Sequence, residues 1–517
     1  MVLCQTKLTP LQPMQKPFLL ILTSVLFNYA IAQQTVPSSA HKVTFKLQLS
    51  EIKNPDTLSI MWFVLPYVAE KTVDHISLVS ITKGADGLYE HAITFPDSIM
   101  NDTIAYAYII NNNQYDIWRT LVLDKNQNQD RVESWGYVDG LKNQVKVTQM
   151  LFNIPDSPEE IAEFSKPYVG ITTNGQPIKR LFPIKKTGFS TINIKNAVSS
   201  LLASLSEEQK AKSVFPIQSK EWRRWHNIEQ WPRAGICLEE MNATQKELAF
   251  AFLKESLSVK GLKKAKDIMT MEAYLATLVP ESTFLGGEKY WITFFGMPSD
   301  EEPWGWQIEG HHLVINYFIL GDQIVMTPTF MGSEPTLITA GENQGFRTFV
   351  QEEMKGLNFY KSLDSLQKKT ALLWHEKDFD FNRGEAFRDN EIIATTGIAA
   401  KHLSKEQQVA LLDLIGEYIN NIRDEHAQVK MEEVKKHLNE THFTWVQGKD
   451  IEGPFYYRIH SPVILIEFDH QNPVFLHDET NQNFGPVKTH IHTVVRTPNG
   501  NDYGKDLLRA HLEQHKH

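Results

Sequence analysis

Between residues 41 and 140 the chain offers one short β-branched or aromatic run after another, with no helical run among them. Val43-Thr44-Phe45-Lys46-Leu47-Gln48-Leu49 alternates apolar with polar, as a half-buried strand does. Similar runs follow at Ser59–Leu65, Ile76–Ile81, Leu88–Phe95, Thr103–Ile110 and Thr120–Leu123, with Gly84-Ala85-Asp86-Gly87 as a turn signal. Short strands at this spacing bury their apolar faces by stacking as two sheets. Residues 41–140 are therefore expected to form a small all-β sandwich, and the rest of the 517 residues exceeds one further element of that kind.

Residues 141–180 are poorly periodic, carry Pro155, Pro158 and Pro167, and are expected to be a linker. A main domain over 181–517 follows, and its character is mixed. Four helix starts share one form: Ser206-x-x-Gln209, Asn242-x-x-Gln245, Asp364-x-x-Gln367 and Ser404-x-x-Gln407. Each places an N-cap residue three before a Gln, the capping box, directly after a Leu or Met. The four fall into two pairs, but little beyond the caps repeats, so independent helix starts are expected rather than a duplication. Strands are expected at Glu288–Gly296, Gln307–Leu320, Gln323–Pro328 and Tyr456–Phe468, with a hairpin across Gly321-Asp322. Antiparallel strands with helices packed on them make the main domain α+β.

The residues that carry chemistry gather near the C-terminus. His490-Ile491-His492-Thr493-Val494-Val495-Arg496 reads as a strand closed by Pro498-Asn499-Gly500. Strand parity puts His490, His492 and Arg496 on one face, where two imidazoles can converge on one metal ion. A third donor is expected from His311-His312, of which regular alternation admits only one to that pocket. His312 is preferred, because parity places Asn316 on its face. Three histidines and a water suit catalytic zinc, and iron or copper nearly as well. Glu309, Glu467 and Asp502 are candidates for general base or for orienting a ligand. Arg496 is a candidate to hold an anion or an oxyanion. Trp304, Trp306 and Tyr503 are candidate substrate contacts. The expected function is a metal-dependent hydrolase acting on a small molecule, glycan or peptide. The alternatives are an iron- or copper-dependent oxidoreductase, or a non-catalytic glycan or peptide binder that uses Tyr290, Trp291, Trp304 and Trp306 as stacking surfaces.

Lys16, the apolar run Phe18–Phe27 and Ala30-Ile31-Ala32 read as a signal peptide over residues 1–32, cleaved after Ala32. A secreted or periplasmic protein is expected, with no membrane span after cleavage, since the run is short for a bilayer. Cys4 leaves with that segment, so Cys237 has no partner and reads as a small buried residue. A net charge of −10 argues against nucleic acid as partner.

Two resemblances go further. Val43-Thr44-Phe45, Asp86-Gly87, Tyr106-Ala107-Tyr108 and Trp118 resemble the small β-sandwiches that bind starch or related glycans, or that precede esterase domains. Exposed aromatics such as Trp118 or Trp135 would then stack on sugar rings. Over about residues 165–517 the chain carries Glu221-Trp222-Arg223-Arg224-Trp225, Trp304-Gly305-Trp306 with Glu309-Gly310-His311-His312, and Thr327-Pro328 with Glu334-Pro335. Tyr457-Arg458-Ile459, Glu467-Phe468, His490-Ile491-His492 and Asn501-Asp502-Tyr503-Gly504 follow in order. Together these resemble a bacterial and fungal family known only as the domain of unknown function number three thousand five hundred. The resemblance implies a shared domain and no particular activity.

Overall fold

A computed structural model describes residues 41–48, 58–65, 77–83, 88–95, 103–110, 114–115, 119–124, 129–134, 166–229, 231, 233–280, 282–377, 380–476 and 485–515. The expected signal peptide, Cys4, Asp86-Gly87, Trp118 and Trp135 lie outside them. The chain divides into two compact units, Met1–Leu151 and Phe152–His517.

Among its described residues the first unit is all β. Its strands are β1 (His41–Gln48), β2 (Leu58–Leu65), β3 (Ser77–Ser80), β4 (Thr82–Lys83), β5 (Tyr89–Phe95), β6 (Thr103–Ile110), β7 (Gln114–Tyr115), β8 (Arg119–Val122) and β9 (Gln129–Ser134). They form a four-stranded sheet, β4-β5-β1-β9, and a five-stranded one, β3-β2-β6-β7 with β8 on β6. Alternate residues Val43, Phe45 and Leu47 of one sheet and Ile104, Tyr106 and Tyr108 of the other share one buried core. Phe45 meets Tyr106 edge-on at 4.8 Å, which joins the two layers.

The second unit is α+β. Its helices are α1 (Ile192–Ser204), α2 (Glu207–Ser213), α3 (Ala243–Ser256), α4 (Val259–Leu278), α5 (Val350–Ser362), α6 (Ser365–Ala371), α7 (Lys405–Ile419), α8 (Asp424–Lys436) and α9 (Lys505–Gln514). Its strands are β10 (Val214–Phe215), β11 (Ile236–Cys237), β12 (Tyr290–Phe295), β13 (Trp304–Gly310), β14 (Leu313–Leu320), β15 (Gln323–Val325) and β16 (Thr329–Ser333). They continue with β17 (Leu372–Trp374), β18 (Ile398–Ala399), β19 (His442–Val446), β20 (Tyr456–His460), β21 (Leu465–His470) and β22 (Ile491–Arg496). All thirteen strands make one sheet, ordered β10-β12-β13-β14-β16-β22-β21-β20-β19-β17, with β11, β15 and β18 paired alongside.

That order is the same from either end, and the expectation of unrelated helix starts is overturned. The first half runs α1, α2, β10, β11, α3, α4, β12, β13, β14, β16; the second runs α5, α6, β17, β18, α7, α8, β19, β20, β21, β22. In both, the first short strand pairs parallel and the second antiparallel to the same long strand. The two halves meet where β16 pairs antiparallel with β22. All four capping boxes form, and their glutamines do more than cap. Gln245 donates to Gln209 and to Ser204 O, and Gln407 donates likewise to Gln367 and to Ser362 O. The stacked pair Trp306–Tyr317 in one half has a counterpart, Tyr457–Phe468, in the other. The repeat survives in caps and ring stacks while the residues between have diverged, which hides it from a single sequence.

Two other expectations change. Residues 166–180 are not linker: Thr172 exchanges backbone hydrogen bonds with Glu391 and Ile393, and Ile171 O accepts from Asn499. Tyr456–Phe468 is two strands, turned at Ser461-Pro462-Val463-Ile464, because Ser461 Oγ accepts from the Val463 and Ile464 amides.

Candidate metal centre

Gly310 pairs with Leu313, so His311 and His312 are the whole loop between β13 and β14. The expected single strand through Gln307–Leu320 is broken there. His312 takes φ +59, a left-handed conformation that Gly or Asn usually fills in a hairpin. Because the chain reverses at this pair, alternation does not separate the rings; they stack at 3.7 Å and 28°. Asn316, the neighbour expected for His312, is instead bonded to Gln307 across the hairpin and to Pro328 O.

His490 directly precedes β22 and His492 is its second residue, and their rings lie on one face. The His490 Nε2 lies 3.0 Å from His492 Nε2 and 3.4 Å from His312 Nε2. The opposite nitrogen of each ring faces an acceptor. His312 Nδ1 lies 2.8 Å from Glu272 Oε1, His490 Nδ1 2.6 Å from Asn472 O, and His492 Nδ1 3.1 Å from Glu385 Oε1. A carbonyl oxygen and ionised carboxylates only accept, so the three Nδ1 atoms carry the hydrogens. The three Nε2 lone pairs then confront one another with no hydrogen between them. Burial pushes His312 down to about 3, helped by the nearby His311 charge, and takes His490 well below the ordinary range, so neither ring relieves the confrontation by protonation at neutral pH. A cation held among the three nitrogens would resolve it. Three nitrogens each ~2.0–2.1 Å from a tetrahedral ion lie ~3.3 Å apart, close to the separations seen. Buried His and Glu groups here could hold a metal ion: His312, His490 and His492 in one set, and Glu272, His311 and His312 in an adjoining one.

The supports come from four separate elements. Glu272 lies on the buried stripe of α4 with Ile268 and Leu275, and its second oxygen takes His311 Nδ1 at 2.9 Å. Burial alone would raise this carboxyl, but the His311 and His312 rings outweigh it and hold it at about 2. Glu334 accepts the backbone N–H groups of Val474, Phe475 and Leu476, fixing the loop that presents Asn472 O. Glu385 is the open side of the site, with 32 % of its side chain exposed. Gly332 lies beneath two of the rings; a Cβ there would sit 2.9 Å from His312 Cδ2 and 3.0 Å from His492 Cδ2.

Arg496 is not at the pocket as a free anion holder; each of its three nitrogens is already bonded within the protein. Nε bonds Gly384 O, one terminal nitrogen bonds Glu385 O, and the other bonds Asp389 at 2.7 Å and Asp502 at 3.2 Å. Glu467 accepts from Arg383 N, Gly384 N and Tyr456, and burial raises its carboxyl. Asp502 also accepts from Thr497 N. Arg496 and Glu467 thus clamp the backbone at Gly384–Glu385, behind the carboxylate that meets His492. Tyr503 is buried and donates to Asp389, while Trp225 donates to Tyr503. Glu309 is buried beside Arg233, its carboxyl pushed up to about 8 by burial. Trp304 and Trp306 are fully buried, Trp306 stacked on Tyr317, and Tyr290 is buried too, so none of them offers a stacking face to a ligand. Sequence reasoning missed Glu272, Glu385, Glu334 and Asn472. Only Glu272 carried a signal, an acid on the apolar stripe of a helix.

The model of a family described as "Protein of unknown function (DUF3500)" matches residues 187–505, which include every group of this site. The chain belongs to this family. Among curated proteins none matches it. Among solved structures, the CBMd module (family CBM41) from Eubacterium rectale Amy13K is similar to part of the chain. It is 12 % identical, covers 19 % of this chain and 90 % of its own, and has a TM-score of 0.15. The family name assigns no chemistry, so the function of this DUF3500 protein rests on its site.

Proposed function

We propose that this DUF3500 protein is a secreted or periplasmic metal-dependent hydrolase, with zinc held by His312, His490 and His492. The observation that supports this best is the trio of facing Nε2 atoms, each ring backed through Nδ1 by Glu272, Asn472 O or Glu385. Ligating histidines characteristically bond an acceptor through their other nitrogen. Bound zinc supplies Lewis-acid polarisation and a water of lowered pKa. Glu385 is the residue placed to take up a proton, since Oε1 faces His492 and Asn382 while Oε2 carries no partner among the described residues. Arg496 and Glu467 position Glu385 rather than touch substrate. Iron or copper suits the same donors and would make the protein an oxidoreductase. The apolar run Phe18–Phe27 supports export. No described helix is long and apolar enough to cross a membrane. The glycan or peptide binder has less support, because Tyr290, Trp304 and Trp306 are core residues and the partly buried Trp291 ring is covered by Arg233 at 5.4 Å.

The test is a chelator-sensitive activity. Purified protein should hydrolyse at least one of a panel of ester, amide and glycoside substrates, lose the activity with its metal, and recover it on adding zinc. Activity that persists after complete metal removal contradicts the reading, as does recovery with iron or copper alone.

A further inference from the structure

On the face of the main sheet opposite the histidines, a cavity of about 330 Å³ opens along the line where the two halves meet. Its floor is Thr329 and Met331 of β16 with Thr493 and Val495 of β22, the alternate residues to those that carry the imidazoles. The end of α7 and the length of α8 wall it, and residues from Arg180 to Lys185 border it.

Protein interiors rarely leave voids larger than a water, and this space takes roughly a dozen water-sized groups. It falls at the low end of the ~300–1,000 Å³ typical of small-molecule pockets. Its walls are largely apolar, so the body of an occupant must be apolar. The charged groups lining it are unevenly matched. Glu352 is paired with Lys264 at 2.8 Å and Glu433 with Lys430 at 2.8 Å. Arg180 and Lys185, exposed where the cavity reaches solvent, have no acidic partner among the described residues; Lys436, also exposed there, has Glu432 as an acidic neighbour, and that carboxylate is itself paired with Lys435 at 2.8 Å. An entering molecule therefore meets uncompensated positive charge at the rim and hydrocarbon inside. We propose that this cavity binds a medium-chain aliphatic carboxylate, its chain over Met331 and Val495 and its carboxylate among Arg180, Lys185 and Lys436. The site is separate from the histidine cluster and does not depend on the reading given for it.

The experiment uses the full chain in detergent-free buffer, with dodecanoate as the probe and calorimetry as the readout. Dodecanoate should bind at one equivalent per chain, and dodecanol and butanoate at least roughly tenfold more weakly. Lys185→Glu combined with Lys436→Glu should weaken dodecanoate by about tenfold, the scale of a few partly screened ion pairs, and leave dodecanol unchanged. Met331→Trp should fill the floor and abolish binding. If that variant does not fold, the head-group comparison and the surface charge variant decide the matter by themselves. Absence of saturable binding, dodecanol binding as tightly as dodecanoate, or indifference to the charge reversals would each overturn the proposal.

Discussion

Replacing Gly332 by Ala tests the site at the point where the least space remains. The added methyl carbon would lie 2.9 Å from His312 Cδ2, 3.0 Å from His492 Cδ2 and 2.8 Å from Ile491 O. Ordinary contact begins at about 3.4 Å, so the two rings and the β22 backbone must retreat by roughly 0.4–0.6 Å. Metal–ligand distances tolerate only ~0.2 Å, so that retreat spoils the geometry of His312 and His492 together. Losses of ~10–100-fold in metal affinity follow from displacements of this kind, or ~1.4–2.7 kcal/mol. Overpacking adds ~1–3 kcal/mol of destabilisation that is present without metal. Competition against a chelator of known affinity reads the first quantity, and urea unfolding of the metal-free protein reads the second. Wild-type affinity together with wild-type stability in Gly332→Ala would refute the packing described around these rings.

Other consequences can be measured alongside it. Glu272→Gln should lower metal affinity by ~10–100-fold while the protein remains folded, as read by the same competition. Arg496→Met should cost ~3–5 kcal/mol in urea unfolding, since it strands Asp389 and Asp502 in the interior. Burial opposes ionisation of Asp389, but Arg496 and Arg223 outweigh it and hold the carboxyl below its ordinary range. A depressed folded-state pKa gives stability that is full above the unfolded value of ~3.9 and is lost as pH falls through the lower folded one. Asp389→Asn should therefore be clearly less stable than wild type at pH 7, with the gap closing below about pH 4.

What the sequence disclosed and what it concealed differ for physical reasons. Period two in Ile491–Arg496 sufficed to place His490, His492 and Arg496 on one face, because a regular strand leaves no choice. The capping boxes were equally legible, since cap chemistry is local. The turn at His311-His312 was not, because a histidine at φ +59 carries none of the Gly or Asn signal that marks such a loop. Arg496 was placed on the right face and given the wrong partners, because its acceptors come from Gly384, Glu385, Asp389 and Asp502, three of them over a hundred residues away. Glu385 lies in a segment without periodicity, and distant groups bring it to His492: the clamp from Arg496 and Glu467, with Asp469 holding the Phe381 and Asn382 amides just before it. The paired caps hinted at a duplication, but the rest of what the halves share is topology and a few ring stacks, which no local pattern records, so independent helix starts were the expectation.

The most direct test of the metal centre is elemental analysis of protein purified without a histidine tag, compared with the His312→Ala, His490→Ala, His492→Ala triple variant. The His511 and His515 rings lie 4.6 Å apart, on and just beyond α9, and could collect metal adventitiously, which the comparison subtracts. The account predicts close to one equivalent of zinc in the wild type and close to none in the variant. Metal-free wild type after growth and purification in zinc-replete conditions, or equal metal in both proteins, would contradict it.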